Sequence, residues 1–153
     1  ILSLEIQRMP KNPQHEFGHL WEYPLRSVCT ISTHDMATLR GWWEEDPALT
    51  ARYYNQVLGQ WGEVPTTAPG WACEEIVRQH LQCPSLLCIL AFQDWLSMDE
   101  DLRYPDANAE RINVPANPRH YWRYRMHLTL EDLMKNKAFN QKMIEMIDEA
   151  GRY

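Results

Sequence analysis

The longest apolar run of the chain, Leu86 to Phe92, is seven residues of uninterrupted hydrophobicity. It is far too short to span a bilayer. A run of this kind is the signature of a strand buried on both faces of a parallel sheet. Parallel strands need long crossover connections, usually helical, so the rest of the chain must alternate short strands with helices.

The flanking segments fit that demand. Residues Leu2 to Arg8 alternate as a strand, and Val28 to Ser32 is a second β-prone run. From about Met36 to Glu45 a helix is expected, with Met36, Leu39 and Trp43 on one face and Trp42 to one side. Pro47 sits near the start of another helix, which Gly59 ends. Residues Trp71 to Gln82 form an amphipathic helix that puts Cys73, Ile76, Val77, His80 and Leu81 on one face, so His80 is expected in the core. The pattern Thr129-Leu130-Glu131-Asp132 opens a last helical segment that breaks around Asn136 and ends near Gly151. Strands and helices in this order give an α/β fold with parallel pairing through right-handed crossovers. Three strands are too few for a doubly wound sheet of their own.

Composition narrows the partners. With 153 residues the chain has room for one domain, and 44% of them are hydrophobic. Its 21 acidic and 15 basic residues leave a formal charge of −6 without any Lys/Arg cluster, so neither nucleic acid nor an anionic membrane is an expected partner. Cys29, Cys73, Cys83 and Cys88 form no C-x-x-C pair and are expected as reduced thiols, which points to a cytoplasmic protein. No segment resembles a signal peptide. The chain opens directly on a strand pattern without an initiator Met, as if cut from something longer.

Two motifs carry possible chemistry. The second strand delivers Thr33-His34-Asp35 to its carboxyl end, the place where α/β enzymes keep catalytic groups. Asp35 is equally suited to cap the following helix. The third strand ends in a second acidic residue, Asp94. The stretch His15-Glu16-Phe17-Gly18-His19 matches H-E-x-x-H, a zinc-hydrolase pattern when it lies on a helix. Pro13, Gly18 and Pro24 crowd that segment, which lacks a helical apolar period, so no metal is expected, and no other cofactor.

Three blocks taken together, Thr33-His34-Asp35 with Thr38-Leu39-Arg40-Gly41-Trp42-Trp43, then Phe92-Gln93-Asp94, then Arg111-Ile112-Asn113-Val114-Pro115 running to Trp122-Arg123-Tyr124-Arg125, resemble the carboxyl-terminal part of 4-α-glucanotransferases, also called amylomaltases or disproportionating enzymes. Finer details, among them Gln7-Arg8-Met9-Pro10 and Asn117-Pro118-Arg119-His120-Tyr121, are similar to the cytosolic branch that handles maltose and branched glucans. The resemblance implies that residues 1–153 are one partial domain, the last three β/α units of a (β/α)8 TIM barrel, a fold that needs about 250 residues. It implies a retaining double displacement in which glucosyl or maltosyl units pass between α-1,4-glucans. The nucleophilic Asp and acid/base Glu would lie upstream, leaving this chain inactive alone. Asp35 would be the third catalytic carboxylate, gripping sugar hydroxyls, and His34, Asn113 and Pro115 would bind substrate. Asp94 is a further candidate sugar contact, and Trp42 a candidate stacking platform beside Trp21 and Tyr23. The implied partners are an α-1,4-glucan or malto-oligosaccharide, and the remainder of the barrel or a second copy of the chain.

Two other readings stay open on the residues alone. One is a free-standing, non-catalytic α-glucan-binding module. The other is an unrelated small enzyme that uses Asp35 and Asp94 as an acid/base pair.

Overall fold

The computed structural model describes residues 1–152. Three parallel strands, β1 (Ser3–Ile6), β2 (Ser27–Thr30) and β3 (Leu87–Cys88), lie in the order β1-β2-β3. Each strand thus pairs with its sequence neighbour, as a right-twisted sheet growing in one direction requires. The register aligns Leu4, Val28 and Leu87 in one row, and Glu5, Cys29 and Cys88 in the next.

Among the described residues six α-helices alternate with the strands, α1 (Leu39–Glu45), α2 (Pro47–Gln56) and α3 (Gly70–Gln82) between β2 and β3, and α4 (Phe92–Leu96), α5 (Leu130–Lys135) and α6 (Lys137–Glu149) after β3. Local chemistry sets their ends. Asp46 Oδ1 accepts from the amides of Ala48 and Leu49, and Pro47 occupies the first turn of α2, where its missing N–H costs nothing. Gly59 takes the left-handed conformation, φ +63°, just past the end of α2. Thr129 accepts from the Asp132 amide to open α5. Asn136 closes α5 and caps α6 by accepting from the Phe139 amide, which is the break expected from the sequence.

The core lies between the helices and one face of the sheet. α3 contributes Ala72, Cys73, Ile76, Val77, His80 and Leu81, all buried, as its periodicity predicts. Trp43 and Tyr53 are enclosed beside them, and α6 adds Phe139 and Met146. Burying a side chain such as Leu39 or Ile76 stabilises by roughly 1.5–3 kcal/mol. At the periphery, Arg78 pairs with Glu74 and Glu149, and Lys142 with Glu74, tying α3 to α6.

The structure departs from the sequence expectations in three places. The run Leu86–Phe92 is not a strand buried on both faces: only Leu87–Cys88 is strand, Leu86, Leu87 and Ile89 are exposed, and Phe92 already begins α4. Together with exposed Leu4, these residues leave one apolar face of the sheet uncovered while Cys29 on the other face reaches the His80 carbonyl in α3. Helix α1 starts three residues later than Met36. Trp42 is not exposed; it packs edge-on against Phe17 and Tyr53 with the Arg8 guanidinium above its ring.

Candidate functional site

A hollow of about 210 Å3 opens at the carboxyl end of the sheet, where Thr30, Ser32, Thr33 and His34 leave β2 and Ile89 to Ala91 leave β3. His34 lines it and Asp35 follows directly in the chain; both side chains are half exposed, His34 Nε2 lying 3.2 Å from Asp35 Oδ2. The loop after α4 closes over them. Asn113 Nδ2 donates to Asp35 Oδ1 at 2.6 Å, and the Asn113 amide donates to the His34 carbonyl at 3.1 Å. Two sequence-distant segments are thereby locked so that an imidazole, a carboxylate and a carboxamide converge. Such a group presents directional donors and acceptors to a polyhydroxylated ligand.

Asp35 is not a helix cap. That task falls to Thr38, whose Oγ1 accepts from the Gly41 amide and donates to Glu110 Oε2, and to Asp94, whose Oδ1 accepts from the Leu39 amide at 2.9 Å. The Asp35 carboxylate is consequently left for His34, Asn113 and solvent.

Asp94 does not reach the hollow as a sugar contact. It is completely buried in the first turn of α4, where its Oδ2 accepts from Ser32 Oγ while its other oxygen holds the start of α1. Burial pushes its carboxyl pKa up, against the hydrogen bonds from Ser32 and Leu39 and the nearby charge of Arg8. Asp94 therefore fixes the two ends of the Thr33–Thr38 segment that carries His34 and Asp35. Arg8 holds the same segment from the β1 side: its Nη2 donates to the carbonyls of Ile31 at 2.8 Å and Ala37 at 3.1 Å.

Glu110 is the acidic residue that lines the hollow, and it is committed elsewhere. It is buried against Arg40, with Nη1 to Oε1 at 2.5 Å, and burial raises its pKa in opposition to that partner. Arg40 also donates to the Tyr104 carbonyl, so this pair clamps the 104–110 segment onto α1.

Pro115 lies exposed in the turn closed by the Asn117 amide and the Val114 carbonyl. Arg111 steadies that loop through the Asn113 carbonyl and Glu45. Among the aromatic residues considered as platforms, Trp42 and Tyr23 are buried, whereas Trp21 is exposed but stacks on His19 away from this hollow. The aromatic residue beside the site is Trp122. Its ring lies 5.1 Å from that of His34, tilted by 46°, with more than half of its surface exposed. The Tyr-Trp-Arg-Tyr-Arg run marked Trp122 as part of a motif, but no local periodicity could place it against His34.

The H-E-x-x-H stretch is not helical. Glu16 is paired with Arg52, both of its oxygens within 3.0 Å of Nε. His15, His19 and Glu22 instead bring their ligand atoms within 4.8 Å of one another. No helix among the described residues is long and apolar enough to cross a membrane.

Comparison with known proteins matches the chain to one family. A family model described as 4-alpha-glucanotransferase matches residues 1–130. The chain is 40% identical over 152 residues to "4-alpha-glucanotransferase DPE2" of Oryza sativa subsp. japonica, a match that covers 99% of this chain and 16% of the relative. It is 29% identical over 152 residues to the 4-alpha-glucanotransferase of Chlamydia caviae, covering 97% of this chain and 28% of that protein. The chain thus spans well under a third of the curated relatives it matches. Among solved structures, an amylomaltase from Streptococcus agalactiae in complex with acarbose superposes with a TM-score of 0.60 at 21% identity, over 85% of this chain and 23% of that one. That likeness establishes a shared α/β fold. With a family match over most of its length, the chain belongs to the 4-alpha-glucanotransferases.

Proposed function

We propose that this chain is the carboxyl-terminal part of a 4-α-glucanotransferase barrel, with β1, β2 and β3 as its sixth, seventh and eighth strands and residues 1–153 forming one partial domain. The observation that carries the reading is the lock between His34, Asp35 and Asn113 at the carboxyl end of the sheet, where barrel enzymes hold their reacting groups. The sequential strand order supports it, as does the uncovered apolar row of Leu4 and Leu87, which suits the interior of a closed barrel.

In this reading the substrate is an α-1,4-glucan or malto-oligosaccharide. Asp35 accepts from hydroxyls of the sugar at the bond being cleaved, and His34 and Asn113 orient both the carboxylate and the sugar. Pro115 borders the cleft, and Trp122 offers an apolar face to a glucose ring. Hydrogen bonds that tighten as the oxocarbenium-like state forms supply several kcal/mol in reactions of this class.

A retaining double displacement also needs a nucleophilic and an acid/base carboxylate about 5–5.5 Å apart. The acidic residue lining the hollow, Glu110, is tied to Arg40, and Asp94 is buried, so the pair comes from the remainder of the barrel. The chain alone is inactive and associates with that remainder or with a second copy through its open sheet face. Four free thiols support a cytoplasmic location.

The test is incubation of the purified chain with maltotriose and chromatography of the products. No glucose or longer maltodextrin is expected. Product formation that Asp35→Asn abolishes would show that this chain holds a complete site and would overturn the proposed division of the catalytic groups.

A further inference from the structure

A cavity of about 580 Å3 lies apart from the hollow at the carboxyl end of the sheet. It is bordered by His15, His19 and Trp21 from the 10–24 segment, and by Gln56 and Gln79 from α2 and α3. On its rim the two imidazoles stack, ring centres 4.1 Å apart. His19 Nδ1 lies 3.2 Å from Glu22 Oε1, yet it is shielded from solvent and makes no hydrogen bond. All three ligand atoms fall within 4.8 Å of one another.

We propose that His15, His19 and Glu22 form a binding site for a borderline divalent cation of the zinc type. Two imidazole nitrogens and one carboxylate oxygen are a ligand set that such ions favour. Bonds of 2.0–2.1 Å at tetrahedral angles place ligand atoms about 3.3 Å apart, close to the separation already present between His19 and Glu22. His15, whose ring stacks on that of His19, supplies the third ligand atom within 4.8 Å of the other two. Three protein ligands leave a fourth position for water.

The backbone holds this arrangement without the ion. The Gly18 amide donates to the Gln7 carbonyl at 2.7 Å, fastening the segment to the end of β1. The Glu22 amide donates to the His19 carbonyl in the 3-10 turn Leu20–Glu22, which sets the two side chains on the same side. Phe17 and Leu20, interleaved with the three ligands in sequence, are buried and anchor the segment. Glu16, the residue that would act as general base in a zinc hydrolase, is held by Arg52, so the ion fastens the 10–24 segment and performs no hydrolysis. The site stands independently of glucan transfer.

Equilibrium dialysis of the purified chain against zinc chloride, with metal content measured by atomic emission, tests the proposal. One zinc per chain is expected. His15→Ala, His19→Ala and Glu22→Gln should each weaken binding by at least the 10–100-fold typical of losing even an outer-shell partner. His127→Ala should leave it unchanged. Circular dichroism verifies that each variant is folded, and because all three side chains are at least partly exposed, any two folded variants decide the matter. No saturable binding by the wild-type chain, or binding that persists in His15→Ala and Glu22→Gln and resides on the thiols instead, would overturn the proposal.

Discussion

Replacing Asp94 by Ala removes a carboxylate that anchors both ends of the segment bearing His34 and Asp35. Two buried donors lose their acceptor: the Leu39 amide, at 2.9 Å, and the Ser32 hydroxyl. Each unsatisfied buried donor costs about 1–3 kcal/mol. Against this, the variant is relieved of a desolvated carboxyl whose pKa burial drives upward. The two effects leave a net destabilisation of about 2–4 kcal/mol. Asp94→Asn keeps an acceptor for Leu39, and the Ser32 hydroxyl can turn to accept from the amide, so that variant should fall within about 1.5 kcal/mol of wild type. Urea unfolding followed by tryptophan fluorescence gives both numbers. A loss below about 0.5 kcal/mol in Asp94→Ala, the error of the extrapolation, would refute a scaffolding role. It would return Asp94 to the list of candidate sugar contacts.

Two further outcomes follow from the core and the sheet. His80 is fully buried, and burial lowers its pKa from 6.5 to about 4, so the folded state excludes a proton that the unfolded state takes up below pH 6.5. The associated stability is complete above that value and is lost as pH falls from 6.5 towards 4. By pH 5 about 2 kcal/mol has gone, a component that should vanish from urea unfolding curves in His80→Gln. The exposed apolar face, including Leu4, Leu87 and Ile89, predicts that the isolated chain self-associates in light scattering. A monodisperse monomer at roughly tens of micromolar would contradict that use of the face.

Much of the fold was legible because its signals are local. Thr129, Asn136, Pro47 and Gly59 act within one helical turn, and α3 displays its buried face by period alone, which is why His80 was recognisable as a core residue. The remainder depends on groups distant in sequence. Apolar spacing ran the first helix back to Met36, but the helix begins at Leu39 because Thr38 and the Asp94 carboxylate, from beyond β3, satisfy its first amides. Hydrophobicity alone makes the run Leu86–Phe92 a long strand covered on both sides, because it does not reveal which faces find a partner. Asp94 and Trp42 lie inside for the same reason: the packing of Ser32, Phe17 and Tyr53 around them is tertiary. Motif resemblance singles out His34, Asp35 and Asn113, which the fold brings into contact, whereas Trp122 becomes a neighbour of His34 only in three dimensions.

The central claim is that Asp35 grips sugar at the reacting bond while His34 and Asn113 hold it in place. Its most direct measurement is the turnover of maltotriose by the complete enzyme that contains this chain, wild type against Asp35→Asn. Asn preserves the shape of the side chain and Asp35 caps no helix, so folding should be unchanged. The charge that strengthens binding in the transition state is lost, and kcat should fall on the order of 10²–10³-fold with little change in KM. A folded Asp35→Asn enzyme that disproportionates maltotriose within about threefold of the wild-type rate, roughly 0.7 kcal/mol in barrier, would contradict the account.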